Sequence, residues 1–407
     1  MCPSAPEDDD NSSKDSGLMI TAPTQKKLGS LTYFDSKKLA IVKSEIEKKN
    51  PKYRLAYEKL LKSAEIKLAE GPYSVMQKSR TPPSGDKHDY LSLAPYWWPD
   101  PDKSDGLPWI RRDGEVNPMT KGSNVDDPVK DDFFSSLESL SWAFYFAKNS
   151  KYADKIVELL ETFFLNPATR MNPNLNFAQG VPGKSEGRGF GIIEFAGISR
   201  VVTAIEILEA GDAIPQEKAQ ALRDWLSDYL QWLQTSELGI FEKERLNNHG
   251  TMYDVQEVGL LLFLHREAEA KAVLETVKTQ RIAPHIMADG TQPEELKRTK
   301  SLSYSILNLS GLTQLAYFGQ RLGVDLWNYK PPKNGGIQQA YDFLYPYALE
   351  KKKWKRQQLG NLKGQVIRLQ RMFIRAGSLF DNEEYCSILE KFEDIDDLDL
   401  LIYPCLP

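Results

Sequence analysis

Two short polar stretches hold side chains that could do chemistry together. The first, Asn247-Asn248-His249-Gly250-Thr251-Met252-Tyr253-Asp254, lies between two strongly apolar helical patterns. Asn amide hydrogens and a His N–H aim several donors from one turn, a set that can grip a carboxylate. The same residues have an ordinary reading, since Asn is a good helix N-cap and His249 can bond a neighbour. The second stretch, Arg298-Thr299-Lys300-Ser301-Leu302-Ser303-Tyr304, adds a fixed cation and a phenol. Tyr304 read by itself is equally a core-facing helix tyrosine.

Other polar stretches extend the inventory to Lys87, Asn176, Gln179 and Arg188, with Trp97 and Trp98 as an aromatic pair and Tyr90 and Tyr253 in the same segments. This set suits an acidic sugar. β-Elimination on a polyuronate requires neutralising the carboxylate on C5, which amides, His and Arg do by hydrogen-bonding it as charge builds. A base then takes the C5 proton and an acid protonates the departing O4. In β-D-glucuronate and β-D-mannuronate both lie on one side of the ring, so a single group can serve both steps. Tyr304 is the candidate; a phenol begins near pKa ~10 and needs a cation beside it, which Arg298 supplies. His249 competes for the base role, because an imidazole titrates nearer to working pH. No metal site is expected: none of His88, His249, His265 and His285 has another His or Cys at ligand spacing. His265 reads as structural and His285 is left open. No other cofactor is implied.

The elements that must position these residues are helical. Apolar spacing predicts helices from Ser36, from Pro51 to Leu68, from about Pro128 through Tyr145, and through Ile156 to Phe164. Further patterns run at 191–209, 215–235, 253–264, 267–279, 304–322, 336–349, 361–376 and 382–392. Convincing strands are nearly absent. Two long irregular segments interrupt the pattern: Tyr73 to about Asp127, with Pro95-Tyr96-Trp97-Trp98-Pro99-Asp100, and 172–189. The aromatic pair either anchors its loop or forms a platform for sugar rings. The glycines near Arg188 resemble a phosphate loop only superficially, since no strand precedes them. Helical hairpins with long loops and no fixed repeat period predict an all-α (α/α) toroid, an incomplete barrel of six or seven hairpins with long active-site loops.

The bulk properties bound the rest. The chain has 407 residues, 41% of them hydrophobic, enough for a large core. A net charge of −5 provides no basic field for nucleic acid, and no apolar run reaches the length of a membrane span. Three cysteines, Cys2, Cys386 and Cys405, make no disulfide framework, and nothing in the spacing supports a Cys386–Cys405 bridge. Residues 1–30 read as a polar tail and 31–407 as a single domain. Met1-Cys2 followed by Pro, Ser and an acidic run is the start expected of a mature lipoprotein, with Cys2 carrying a lipid anchor. That reading places the protein outside the cytoplasm of a Gram-negative bacterium, in the periplasm or at the outer membrane surface. A plain tail with an accidental cysteine is the alternative.

Six motifs in fixed order carry a family resemblance: Asp86 through Leu93, Pro95 through Pro101, Asn174-Leu175-Asn176, Glu186-Gly187-Arg188-Gly189, Asn247-Asn248-His249-Gly250, and Arg298-Thr299 through Tyr304. Together they resemble the alginate lyase superfamily, and within it are most similar to the glucuronan lyases of polysaccharide lyase family 38. The resemblance implies an (α/α) toroid and endolytic, metal-independent elimination on an acidic polysaccharide. It also implies roles: Tyr304 as base and acid, Arg298 and Asn248 neutralising charge, His249 assisting. The run Asn248-His249-Gly250-Thr251-Met252 lacks the aromatic that classical alginate lyases usually put soon after the histidine, and Arg298 is one residue closer to Tyr304 than in those enzymes; both favour the glucuronan branch. Two other readings stay open. A toroid glycoside hydrolase needs two carboxyls ~5 to 9 Å apart, for which Glu186, Glu194, Asp254 and Glu295 are available. A non-catalytic polysaccharide-binding lipoprotein would use Trp97 and Trp98 as its platform.

Overall fold

The computed structural model describes residues 30–391 and 398–406, so Cys2 and the tail up to residue 29 lie outside the described residues. Several helices open where a side chain caps them. Asp35 accepts from the backbone N–H groups of Lys37 and Lys38 to start α1 (Ser36–Glu47), and Asn50 followed by Pro51 starts α2 (Pro51–Leu68). α3 (Asp127–Ala147) turns through Lys148, at φ 55°, into α4 (Ser150–Leu160), which Asn149 caps. α5 (Ile198–Ala210), α6 (Gln216–Thr235) and the short α7 (Glu237–Lys243) follow. Then come α8 (Asn248–Phe263), α9 (Glu267–Val277) and two single turns, α10 (Ala283–His285) and α11 (Pro293–Leu296). α12 (Ser301–Leu322), α13 (Ile337–Ala348), α14 (Leu362–Phe380), α15 (Glu383–Cys386) and α16 (Leu398–Ile402) complete the order.

Packing runs from α3 to α5, α8, α12 and α14 in turn, with α4, α9 and α13 set against them. The ends of this series meet: Lys38 of α1 pairs with Asp381 just beyond α14 at 2.6 Å, and α16 lies on α1 and α2. The architecture is an α/α toroid. α8 and α12 are buried on nearly every side, which places them in its interior. They lie parallel, since Thr251 bonds Asn308 at 2.6 Å and Val255 faces Gly311 one turn further along both. Their N-terminal turns therefore open on the same face.

The two irregular segments cover that face and are tied to each other. β1 (Leu91–Leu93) pairs in parallel with β4 (Phe177–Gly180), and β2 (Trp97–Trp98) pairs antiparallel with β3 (Ile110–Arg111). Underneath, a fully buried ion pair joins Lys78 to Asp126 at 3.0 Å, while Asp126 also accepts from the Leu91 N–H. Removing one partner leaves an uncompensated buried charge, so Lys78→Met is expected to cost about 3–5 kcal/mol of stability. A lowered denaturant midpoint would show it, and an unchanged midpoint would contradict the buried pair.

Cys386 and Cys405 are joined by a disulfide, the bridge for which sequence spacing offered no support. Their Cα atoms are 5.8 Å apart because the C-terminal segment folds back beside α14.

Several carboxyls sit in this interior. Burial pushes Asp126, Glu194 and Glu206 each up to about 7. In the unfolded chain such groups titrate near ~4, so between about pH 4 and 7 the folded state binds more protons than the unfolded state. Stability contributed by these groups is present below that window and lost as pH rises through it. Carboxylates held low, such as Asp127 beside Lys130 and Lys121, lose their contribution only on the acid side of that window. The melting temperature is therefore expected to be higher at pH 5 than at pH 8; a flat or rising profile between those values would overturn the assignment.

Candidate active site

The site is built on the first turns of α8 and α12. Asn247 caps α8, its side chain accepting from the His249 N–H at 3.2 Å, so the polar stretch is the opening turn of the helix rather than a loop before it. Asn248 is fully buried and both its backbone N–H and its side-chain amide donate to Glu295 of α11, at 2.6 and 2.7 Å. Burial lifts the Glu295 carboxyl to about 7, against the pull of Asn248, His249 and Arg298. His249 is half-buried, with Nδ1 2.6 Å from Oε1 of Glu242, a residue of α7 with no exposed surface. With Nδ1 engaged by Glu242, Nε2 is the ring nitrogen left to meet a substrate.

Arg298 and Tyr304 form the other half. Arg298 donates from Nη2 to Tyr304 Oη at 3.0 Å, and its guanidinium lies 4.0 Å from the centre of that ring. Nε and Nη2 also hold Asp113, at 3.2 and 2.8 Å, and Thr299 adds two more contacts to the same carboxylate. This arrangement keeps Asp113 well below the usual carboxylate range despite its burial. Tyr304 Oη donates to Tyr96 Oη at 2.9 Å. Burial and Tyr96 push the Tyr304 phenol well above its ordinary value, with Arg298 opposing them. The halves meet at α11, where Arg298 N–H bonds Glu295 C=O at 3.1 Å.

The structure gathers His249, Arg298 and Tyr304 on one face, with Arg188, Gln179 and Trp97 beside them. Arg188 is held by both the backbone carbonyl and the side-chain oxygen of Gln179, at 2.9 and 3.0 Å. Gln179 itself sits at φ 48°, a left-handed conformation uncommon for a non-glycine residue. Asn176 is exposed and accepts from Trp232, and Lys87 donates to Met76 C=O at 3.4 Å.

Five expectations need correction. Tyr253 is 1% exposed and bonds Leu233 C=O, because it falls on the inward side of α8 once that helix starts at Asn248. Tyr90 is fully buried beneath β1, donating to Glu194. Neither surface is open to a substrate. The Asn248 amide is committed to Glu295 rather than offered to the cleft. Trp97 and Trp98 do not make one platform, since successive strand residues face opposite ways: Trp97 lies under Lys184 and Arg188, whereas Trp98 meets Arg112 and anchors to Glu115 C=O. His265, read as structural, is exposed at the end of α8.

Sequence reasoning missed Glu242, Tyr96, Asp113 and the clamping role of Glu295. Glu242 lies in the charged run Glu242 to Arg245, and no spacing in the sequence links it to His249, because the two sit on separate helices, α7 and α8. The carboxyls a hydrolase would use are otherwise engaged: Asp254 pairs with Arg281, Glu194 with Tyr90 and Ser92, Glu295 with Asn248, while Glu186 is exposed. Among the described residues no three His, Cys, Asp or Glu side chains gather to hold a metal ion. A cleft of about 950 Å³ lies at the far end of α8 and α12, lined by Glu206, Arg223, His265 and Arg321, roughly 25 Å from Tyr304 by helix rise.

The family model for alginate lyase matches residues 74–354, a span that includes both loop segments and both halves of the site. An alginate lyase from Bacteroides ovatus is 33% identical in sequence, with 92% of this chain and 99% of that chain covered and a TM-score of 0.88. Alginate lyase A1-III complexed with a tetrasaccharide is 17% identical over 89% of this chain and 92% of its own, with a TM-score of 0.56. Its apo form is 14% identical over 86% and 89%, with a TM-score of 0.51; at these identities the likeness shows the fold alone. No curated protein matches the sequence. The fold and the comparisons define an enzyme of the polysaccharide lyase class. More particularly, the chain belongs to the alginate lyase family.

Proposed function

We propose that this lyase cleaves a β-1,4-linked polyuronate, glucuronan first and polymannuronate next, by endolytic syn β-elimination. The observation that carries the reading is a single phenol, Tyr304, held between a guanidinium and a second phenol on the face where His249 also opens. His249 Nε2 and Arg298 bind the C5 carboxylate and take up the charge that develops on it. Tyr304, as phenolate, removes the C5 proton; the electron pair forms the C4–C5 double bond as the C4–O4 bond breaks, and Tyr304 returns the proton to O4. Tyr304 Oη lies 2.9 Å from Tyr96 Oη, so the phenolate forms as Tyr304 passes its proton to Tyr96 while Tyr96 releases its own to solvent.

The preference for glucuronan rests on the missing aromatic in the run from His249 to Met252 and on the shortened spacing from Arg298 to Tyr304. The Bacteroides ovatus relative is described as an alginate lyase, which keeps polymannuronate next. The test is ultraviolet absorbance with glucuronan, polymannuronate and polyguluronate in parallel, since elimination leaves a conjugated double bond. A rise fastest on glucuronan supports the reading; a rise fastest on polymannuronate moves the preference, and no rise on any of the three overturns the lyase assignment on polyuronates.

We also propose that the protein is exported as a lipoprotein anchored through Cys2. The Cys386–Cys405 disulfide supports export, because such bonds persist in oxidising compartments. Fatty-acid labelling that is lost in Cys2→Ser tests the anchor; equal labelling of both forms, or none, overturns it.

A further inference from the structure

α12 has no cap of its own. The residue before its first turn is Lys300, whose side chain has no acceptor to offer and makes no bond to the helix. The N–H groups of Ser301, Leu302 and Ser303 in that turn would be left without partners. Gln358, from the loop between α13 and α14, changes this. Its Oε1 accepts from Leu302 N–H at 3.0 Å and Ser303 N–H at 3.1 Å, the donors that a local cap would hold. Its amide donates to Ser303 Oγ and to Leu359 C=O, both at 2.9 Å, so every hydrogen-bonding position of the side chain is used. Beside it, Ser301 N–H meets Gln357 C=O at 3.2 Å, and Leu359 N–H returns to Thr299 C=O at 2.8 Å.

The next residue in the helix is Tyr304. Its N–H makes the first intrahelical bond, to Lys300 C=O at 3.1 Å, so the turn that Gln358 closes is the turn that carries the phenol. The same loop reaches the groups around that phenol. The turn after Asp113, the carboxylate that holds Arg298, lies against Leu359: a Cβ at Gly114, where φ is 79°, would come within 2.3 Å of Thr299 Oγ1 and 3.1 Å of Leu359 Cδ1. Lys300, bridged through its backbone to Gln358, sets its ammonium 5.2 Å from the centre of the Tyr96 ring. The loop is itself held, since Trp354 donates to Ser301 Oγ at 3.0 Å and packs edge-on against Tyr347 of α13 at 5.0 Å. Gln358 is also uncharged. A carboxylate cap would satisfy the same N–H groups but put a negative charge in the turn where the phenol must ionise. An amide brought from 55 residues away closes the helix and leaves its positive end to Tyr304.

We propose that Gln358 is a positioning residue for the elimination: by closing the N-terminus of α12 without adding charge, it holds Tyr304 Oη in place between Arg298 and Tyr96. The inference rests on the reading of Tyr304 as the group that moves the proton, and deepens it. Oη sits 3.0 Å from Arg298 Nη2 and 2.9 Å from Tyr96 Oη, and both contacts require the first turn to be wound. When that turn frays, the phenol leaves the guanidinium that favours its ionised form, and the C5 proton falls out of its reach. The substrate carboxylate is held elsewhere, by Arg298 before α12 and by His249 of α8, which keep their bonds to Asp113 and Glu242. Loss of Gln358 therefore lowers turnover more than binding.

The experiment compares wild type, Gln358→Met, Gln358→Glu, Tyr304→Phe and the double variant of Gln358→Met with Tyr304→Phe on the polyuronate that wild type cleaves. Elimination is followed by ultraviolet absorbance from neutral into alkaline solution, and melting curves report whether each variant folds. Gln358→Met keeps the length of the side chain and removes its four bonds; kcat is expected to fall about tenfold with KM within about twofold of wild type. Gln358→Glu keeps the two acceptor bonds, so it is expected to recover kcat in alkaline solution, with the climb displaced upward by about half a pH unit by the added charge. In the Tyr304→Phe background, where no Oη is left to place, Gln358→Met is expected to change kcat by less than about twofold. An unchanged kcat in Gln358→Met, a loss confined to KM, or the same loss in both backgrounds overturns the inference and leaves the reading of Tyr304 standing. Retained turnover in Tyr304→Phe overturns that reading and the inference with it. If Gln358→Met does not fold, Gln358→Glu decides: a displaced climb at wild-type melting temperature supports the inference, and an undisplaced one overturns it.

Discussion

Tyr304→Phe lowers kcat by about 10²–10⁴-fold, the range of a lost general acid–base group, while polyuronate binding and the melting temperature stay near wild type. Only Oη is removed. The ring keeps its packing under the Arg298 guanidinium, and Arg298 keeps its two bonds to Asp113. A variant that binds and does not turn over separates this mechanism from a binding module, and retained turnover would sink the assignment. The pH profile adds a second check. Because burial and Tyr96 raise the Tyr304 phenol and Arg298 only partly offsets them, the phenolate is a minor form at neutral pH. Wild-type kcat/KM should climb from neutral into alkaline solution, and the residual rate of Tyr304→Phe should lack that climb. Activity that does not climb above neutral pH would contradict Tyr304 as the base.

His249→Ala costs about 10²–10³-fold in kcat/KM, the effect of losing one preorganised donor at a developing charge. Glu242→Gln should cost about 10–100-fold, as expected for a hydrogen bond to a charged group worth 1.5–3 kcal/mol. Glu242 has no exposed surface and reaches the chemistry only through Nδ1 of His249, so it is a positioning residue. The double variant is therefore no slower than His249→Ala alone, a failure of additivity that a double-mutant cycle reads directly. Multiplied losses would show that Glu242 acts by another route, for instance by holding up the loop between α7 and α8.

Much of the architecture was legible without coordinates, because its determinants are local. Apolar positions at helical spacing, Pro51 after Asn50 and the caps at Asn149 and Asn247 set where helices begin, within a few residues. The error at α8 has a physical source. That helix is apolar or buried on nearly every side, so periodicity contains no face to read, and the pattern was placed from 253 although the helix starts at Asn248. The same blindness assigned Tyr253 to the substrate. α7 was overlooked because seven residues rich in charge carry too short a pattern.

By itself the sequence determined the helical class, the two polar stretches that carry Asn248, His249, Arg298 and Tyr304, and the family to which they belong. These follow from residue type and short-range spacing, which a linear chain displays. Tertiary structure alone decided what those side chains face. Tyr96 reaches Tyr304 across 208 residues and Asp113 reaches Arg298 across 185; Glu242 meets His249 only because α7 folds back on α8. Partners so remote are selected by how the toroid closes and how its loops are pinned by β1, β4 and the Lys78–Asp126 pair. Whether a tyrosine becomes a buried prop, as Tyr90 does, or a candidate base, as Tyr304 does, depends on desolvation and neighbouring charge, and both are properties of packing.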